Sequence, residues 1–390
     1  MCNFAFSELS YIILTNVFGF FMNILLINLI LYTVEERTIK RRKSIEDSLI
    51  YNFAMGFIEN GHKVTVVALD DYRPTEEENL PFDIVYLKSW MPSIFKPDRL
   101  PYPKGLRKFL KENIDTYDMV ISGEVFSMPS VLSAGICKEK LYVWQEMSFH
   151  QKTLHELVSK TWHNVIVPLL LRNTMIVARS EEARDFISQY CKNVAREIVC
   201  NGANAHELFP DEVSEDYFII VSQLVERKNV KASIEQFAKF IKVPHFEHYR
   251  LLIIGYGDAE DSLKNLVEKL GVGENVHFLG RQSHKEMAVH LRHAKGLLIN
   301  TFRDLNLLTI AEAIVSGTPV ISNTEPDRMK YINDNHMGIA RDNWDENDLV
   351  EVATNYESYH KACVMHRDEM TNVGCAKIMV DIHEKYNKKQ

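Results

Sequence analysis

A chain of 390 residues is too long for one ordinary domain and suits two. With 46% hydrophobic and 25% charged residues it has the composition of a packed globular protein, which excludes disordered, collagen-like and disulfide-scaffold classes. The 45 Lys and Arg against 53 Asp and Glu give a formal charge of −8, which excludes general nucleic-acid binding because a phosphate footprint needs a net basic surface.

The stretch from Leu9 to Val34 carries no charge. By length it would suffice for a membrane-spanning helix. Asn16, Asn23 and Asn28 interrupt it, however, and each is costly in lipid. No basic region precedes it, so it does not have the form of a secretory signal. Met22-Asn-Ile-Leu-Leu-Ile-Asn favours instead a buried first strand at 23–30, with residues 1–21 as an apolar amino-terminal extension. Next come an amphipathic helix at 45–60, stopped by Asn60-Gly61, and a strand from Lys63 to Leu69. Strand, helix and strand in this order form a right-handed parallel unit. Short apolar strands follow at Phe82–Leu87, Met119–Ser122, Leu141–Trp144, Met175–Ala178 and Glu197–Val199. Trp90–Pro103 holds four prolines and reads as an irregular surface loop.

Around 206–216 the chain turns acidic and loses periodicity, which places a linker there. The pattern then restarts with strands at Tyr217–Ser222, Leu251–Ile254, Val276–Leu279, Gly296–Asn300 and Pro319–Ser322. Helices are expected at 230–242, at 259–270 and from about 308. The expected architecture is α/β, with two doubly wound Rossmann-like domains facing a central cleft. These are an amino-terminal domain over 22–205, a carboxy-terminal domain over 217–367, and a final helix in 368–390 packing back on the first domain. Ligands of such folds bind at the carboxyl ends of the strands.

The six cysteines, Cys2, Cys137, Cys191, Cys200, Cys363 and Cys375, are scattered without a CxxC, the pattern of reduced thiols in a cytosolic protein. His245-x-x-His248 and His290-x-x-His293 lack a completing carboxylate or cysteine set and read as surface histidines, so no metal is expected. The most informative stretch runs from Asp304 to Ser322. Asp304 lies ahead of a helix and Glu312 within it. The helix amino terminus offers free N–H groups to an anion such as a diphosphate, and a helical carboxylate accepts a bidentate bond from the vicinal hydroxyls of a ribose. Taken alone, the same pair also reads as a capping Asp and a solvated Glu. Gly255-Tyr-Gly257 lacks the third glycine of a dinucleotide turn and reads as a tight strand-to-helix turn.

Five blocks in order resemble the large retaining glycosyltransferase family 4 (group 1), of GT-B fold. They are Ile176-Val-Ala-Arg-Ser-Glu-Glu-Ala-Arg-Asp-Phe-Ile, Val199-Cys-Asn-Gly-Ala-Asn, Leu252-Ile-Ile-Gly-Tyr-Gly-Asp, Val276-His-Phe-Leu-Gly-Arg281 and the Asp304–Ser322 stretch. The resemblance implies a nucleotide-diphosphate sugar donor, no metal and no cofactor. It implies donor binding by Arg227, Lys228, Gly255, Gly257, Arg281, Asn306, Leu307, Leu308, Thr309 and Glu312. Lys228 stands at the family lysine that neutralises the diphosphate, Asp304 at the family's first glutamate, and His150 where a histidine often lies near the transferred sugar. Lys228, Asp304 and His150 are therefore the implied catalytic residues. Glu146 is a second acceptor-side candidate beside His150. The chain departs from the pattern at Gln223, where the family arginine would be, and at Leu305 and Leu307, where glycines usually follow the first acidic residue. Arg41 and Arg42 belong to the basic run Arg37–Lys43, which reads first as a solvated loop and second as a hold for an anionic lipid surface or a pyrophosphate-linked acceptor.

The implied activity is that of a hexosyltransferase-type enzyme moving a sugar to a glycan or lipid-linked hydroxyl with retention. Its implied location is the cytoplasm, in peripheral contact with the inner face of the membrane. The rivals are a catalytically silent GT-B scaffold that binds nucleotide or glycan, and a GT-B sugar-nucleotide epimerase.

Overall fold

The computed structural model describes residues 21–32, 39–46, 48–150, 156–302 and 308–387. The chain divides into two compact units, one formed by residues 1–199 with 376–390 and the other by residues 200–375.

In the first unit, strands β1 (Asn23–Ile27), β2 (Lys63–Leu69), β3 (Asp83–Leu87), β4 (Met119–Gly123), β5 (Leu141–Gln145) and β6 (Met175–Ala178) form one sheet in the order β3-β2-β1-β4-β5-β6. All pairings are parallel. The central strands are continuous apolar runs because helices cover both faces; Ile24, Leu25, Val66, Val67, Val120 and Val143 are fully shielded. β1 ends at Ile27 rather than at residue 30, since the Asn28 side chain donates to the Ile30 carbonyl and bends the chain. Helix α1 (Leu49–Glu59) starts later than its periodicity suggests, because Ser48 caps it by accepting from the Tyr51 N–H at 3.3 Å. Helices α2 (Leu106–Asn113), α3 (Met128–Cys137), α4 (Glu156–Thr161), α5 (Val167–Leu170) and α6 (Glu181–Ile187) complete the unit. Residues 197–199 are not a strand. Val199 donates one hydrogen bond to the Ala178 carbonyl, and the bridge along β6 falls earlier, at Ile176 and Val194. Trp90–Pro103 is irregular, organised by Trp90 packing on Phe95 and Tyr102 at 5.5 and 5.0 Å. The proposed extension lies, but for Phe21, outside the described residues. Among those described, no helix is long and apolar enough to cross a membrane.

The second unit repeats the theme with β7 (Tyr217–Val221), β8 (Arg250–Ile254), β9 (Val276–Gly280), β10 (Gly296–Ile299), β11 (Val320–Ser322) and β12 (Gly338–Ala340), ordered β12-β11-β10-β7-β8-β9. Its helices are α7 (Val230–Phe240), α8 (Glu260–Leu270), α9 (His284–His293), α10 (Leu308–Val315), α11 (Met329–Asp334), α12 (Glu346–Thr354) and α13 (Tyr356–His366). The chain builds outward from β7 through β8 to β9, then returns to lay β10 on the other side of β7. The strand order therefore reverses between β7 and β10, which is where doubly wound sheets open a ligand crevice. Ile234 and Phe237 of α7 are fully buried in the core above Phe218, Ile220 and Leu251.

The acidic stretch 206–216 lies within this unit and is used by it: Glu215 pairs with Arg250 at 2.8 Å and Asp216 with His248 at 3.0 Å. The last helix, α14 (Asn372–Asn387), begins at Asn372 because the Thr371 hydroxyl accepts from the Gly374 N–H at 3.0 Å; the residues before it form a single tight turn.

Candidate functional site

A pocket opens at the strand-order reversal of the second unit. It is lined by Ser222 after β7, Asn300 and Thr301 after β10, Lys228, Ser233 of α7 and Thr309 of α10. Its polar groups sit beside an apolar wall formed by Ile220, Val221, Val230, Leu298 and Ile299. After β7 the chain makes a short turn at Glu226–Lys228 and enters α7 through Asn229, which adopts a left-handed conformation (φ 44°) and donates to the Asn300 side chain at 3.3 Å. The opposite wall is fixed by Asn323, whose side chain bonds both the N–H and the carbonyl of Thr301 at 3.2 and 2.7 Å. The first turns of α7 and α10 thus border the same pocket as an ammonium group. Helix amino termini and a lysine together favour an anion with several oxygens. Arg227 occupies the same turn as Lys228 and is exposed, and its backbone carbonyl holds the wall by accepting from Phe302 and Thr301.

Glu312 lies on α10 and is 3% exposed. Its carboxylate oxygen is 3.8 Å from Nδ1 of His284, at the start of α9. Burial pushes its carboxyl up to about 6, while His284 pulls it down and Glu207 adds to the rise. A carboxylate buried on α10 is held at an energetic cost, which separates it from the solvated helix charge that the sequence also allowed. Leu308 and Thr309 form the first turn of α10. Asp304, Asn306 and Leu307, assigned to the same donor site, lie outside the described residues.

The two glycines of Gly255-Tyr-Gly257 have φ of 142° and 158°. A Cβ at residue 255 would sit 1.8 Å from the Ser222 carbonyl oxygen, and one at 257 would sit 2.3 Å from that of Leu224. Leu224 N–H donates to Tyr256 and Ala259 N–H to Leu224, so the turn after β8 is laced to the loop after β7. Their role here is to hold the β7 loop, and with it the Lys228 turn, at close range. Arg281 lies over the Tyr256 ring at 5.7 Å, beside this turn.

In the first unit the structure gathers charged groups that the sequence did not bring together. Glu124, Glu146 and Arg179 each follow directly on a strand, β4, β5 and β6, which are neighbours in the sheet. Arg179 pairs with Glu146 at 2.8 Å and stacks over Trp144 at 3.7 Å. Glu124 has φ 60° and accepts the N–H groups of Glu146 and Met147 at 2.7 and 3.3 Å. Burial pushes its carboxyl up to about 7 against the pull of Arg179. Because that value lies above the unfolded one, the native state binds this proton more tightly, and stability falls as pH rises from about 4.5 to about 7. Glu124→Gln is expected to flatten the upper part of that fall. A melting series across about pH 6 to 8 in which variant and parent run parallel would assign the titration elsewhere.

His150 is engaged on both ring nitrogens, with Ser159 Oγ at 3.2 Å and Tyr190 Oη at 3.1 Å, and it packs edge-on against His163 and Phe186. Burial holds its imidazole below the usual range, with Lys160 adding to the effect. It is thus anchored in an aromatic cluster, whereas the side chain of Glu146 is 41% exposed. Within the basic run, Arg41 pairs with Asp70 at 3.6 Å, Lys43 with Glu76 at 3.1 Å, and Arg42 lies over the Tyr32 ring at 4.6 Å. The histidine pairs go to separate carboxylates, His248 to Asp216 and His293 to Asp211. Among the described residues no three His, Cys, Asp or Glu side chains are grouped so as to hold a metal ion.

Residues 206–364 match the family described as glycosyl transferases group 1. The chain is 23% identical over 179 residues to the alpha-monoglucosyldiacylglycerol synthase of Streptococcus pneumoniae, covering 42% of this chain and 40% of that protein. It is 31% identical over 128 residues to the lipopolysaccharide glucosyltransferase WaaG of Escherichia coli, covering 32% of this chain and 33% of that one. The matched stretch thus spans less than half the length of either relative. Among solved structures, Anabaena Alr3699/HepE in complex with UDP and glucose superposes with a TM-score of 0.61 at 12% identity, over 93% of this chain and all of that one. The fold of the chain is GT-B, built from two Rossmann-like units.

Proposed function

We propose that this chain, a member of the group 1 glycosyl transferases through its residues 206–364, transfers a hexose from a nucleotide-diphosphate sugar to a hydroxyl of a glycan or lipid-linked acceptor, with retention at the anomeric carbon. The observation that carries this reading is the pocket at the β7–β10 reversal, with Lys228 and the first turns of α7 and α10 at its wall and the buried Glu312 on the same helix α10. Breaking the sugar–diphosphate bond leaves an oxocarbenium-like centre and a dianionic leaving group. Lys228 and the amides of Leu308 and Thr309 stabilise that group, and Asn306 and Leu307 are assigned to it as well. Arg227 adds long-range positive charge. Glu312 accepts the two ribose hydroxyls, and Asp304 binds hydroxyls of the donor sugar. Gly255 and Gly257 keep the lysine turn in register, with Arg281 at its side. No metal is needed where a lysine and helix dipoles carry the leaving charge.

The first unit takes the acceptor. Of its two candidates Glu146 is the better placed to meet a hydroxyl, because both nitrogens of His150 are already committed. Within the basic run Arg41 and Lys43 are paired with surface carboxylates and stay exposed, so an anionic acceptor can still meet their charge. That a structural neighbour was solved with UDP and glucose, and that two relatives are named for glucosyl products, supports a UDP-hexose donor and a lipid-linked or lipopolysaccharide-type acceptor. Gln223 at the family arginine position favours the silent binding scaffold as the second reading.

A thermal-shift panel with UDP, GDP, ADP, CDP and dTDP, without added metal, tests the donor assignment. A nucleotide at a hundred times its dissociation constant adds roughly 2.7 kcal/mol, on the order of 5–10 °C in melting temperature. UDP is expected to stand clear of the rest. A flat panel would remove the transferase reading, and a shift with UDP but no sugar transfer or donor hydrolysis would favour the scaffold.

A further inference from the structure

The chain enters the second unit at Cys200 and leaves it at Cys375. These two residues, 175 positions apart, bring their Sγ atoms to 3.4 Å, and both side chains are buried. We propose that Cys200 and Cys375 form an oxidisable dithiol, a modification site at which a small peroxide closes a disulfide. The separation is that of a thiol hydrogen bond, so bond formation requires the sulfurs to close by little more than an ångström, to about 2.05 Å.

The surroundings favour Cys200 as the attacking sulfur. Arg328, partly buried, borders the same pocket as Cys200; it donates to the Met370 sulfur at 3.5 Å, and its backbone is held in the left-handed region at φ 71°. A cation kept in such a place favours a thiolate beside it. The bond from Cys375, and then Arg328, hold the Cys200 thiol below the ordinary range while Cys375 is raised. By contrast, burial pushes Cys137 and Cys191 up to about 12, which leaves them inert. Cys200 lines a small pocket together with Asn201, Asp327, Arg328, Met370 and, from α10, Ile310 and Ala311. A pocket this small excludes a bulky disulfide reagent.

The chemistry balances as two steps. The Cys200 thiolate attacks one peroxide oxygen and the O–O bond breaks, giving a sulfenic acid and hydroxide. The sulfur of Cys375 then attacks the Cys200 sulfur, the S–O bond breaks, and hydroxide leaves, which takes up the thiol proton as water. Two thiols lose two electrons in all, and the peroxide is reduced to two waters.

The full chain treated with hydrogen peroxide, then unfolded and alkylated, is expected to take up two fewer alkyl groups than the untreated chain. Its digest should contain a cross-linked peptide joining residues 200 and 375 that dithiothreitol removes. Cys200→Ser and Cys375→Ser should each abolish the cross-link, and Cys200→Ala controls for a folding defect in the serine variant. The oxidised chain should melt higher by roughly 5 °C, because the closed loop is long. Full alkylation after treatment, a disulfide to another cysteine, or oxidation of Cys200 to sulfinic acid without loss of the Cys375 thiol would overturn the proposal. Each readout is independent of nucleotide binding, so the outcome stands whatever the donor panel gives.

Discussion

Replacing Lys228 with alanine is expected to lower turnover by roughly 10²–10³-fold at saturating donor, about 3–4 kcal/mol of transition-state stabilisation. The reasoning rests on where charge develops. In the ground state the diphosphate is neutralised in part by water and by the helix amides. As the sugar leaves, the bridging oxygen acquires a charge that a fixed ammonium in a partly desolvated pocket stabilises more strongly than bulk water can. The loss should therefore appear in kcat more than in KM. Lys228→Arg should restore part of the rate, since charge is kept while shape is not. Initial rates for sugar transfer or donor hydrolysis decide the matter. A variant losing less than about tenfold would mean that Arg227 or the helix termini carry the leaving group, and would remove Lys228 from the catalytic assignment.

Glu312→Gln is expected to separate stability from binding. The carboxyl of Glu312 is raised to about 6 chiefly by burial, above its unfolded value. The native state therefore holds the proton more tightly than the unfolded chain does. The stability it contributes is greatest below about pH 4.5 and falls as pH rises to about 6. Above that window the ionised carboxylate costs the fold about 2 kcal/mol. Glutamine removes this cost, so at about pH 7.5 the variant should melt several degrees higher than the parent. In the same variant, UDP affinity should drop roughly 50-fold, the value of about 2–3 kcal/mol for charge-assisted bonds to the ribose. Calorimetric titration with UDP beside a melting curve reads both effects. A variant that melts lower would remove the burial cost, and one that binds UDP as the parent does would remove the ribose assignment.

The strands were legible because parallel strands covered on both faces read as unbroken apolar runs, as in Lys63–Leu69 and Tyr217–Val221. β12 was not, since Gly338–Ala340 is three residues long and carries no pattern. The misread segment at 197–199 has the right composition for a strand, but it runs past β6 with one hydrogen bond and no ladder. Within the site, Glu312 and Lys228 stood out through their neighbours in sequence. Glu124 did not, because its partners come from 22 and 23 residues away, at the end of a different strand. A signal was nevertheless present: a charged residue stands within two positions of the end of each of three apolar runs, at 124, 146 and 179. That His150 is held by Ser159 and Tyr190 depends on the arrangement of the segment after β5, which no periodicity in the sequence encodes.

The division of the chain has a consequence for biosynthesis. Residues 200–375 are contiguous, whereas the unit that begins first takes its last portion from residues 376–390. In that portion His383 meets Tyr142 at 5.5 Å and Lys385 pairs with Glu197. On the ribosome, the polypeptide translated later can therefore reach its native arrangement while the earlier one is still incomplete. The nascent amino-terminal sheet must wait through the synthesis of an entire neighbour for its closing helical turns, a delay during which its uncovered apolar surface is the natural client of a chaperone.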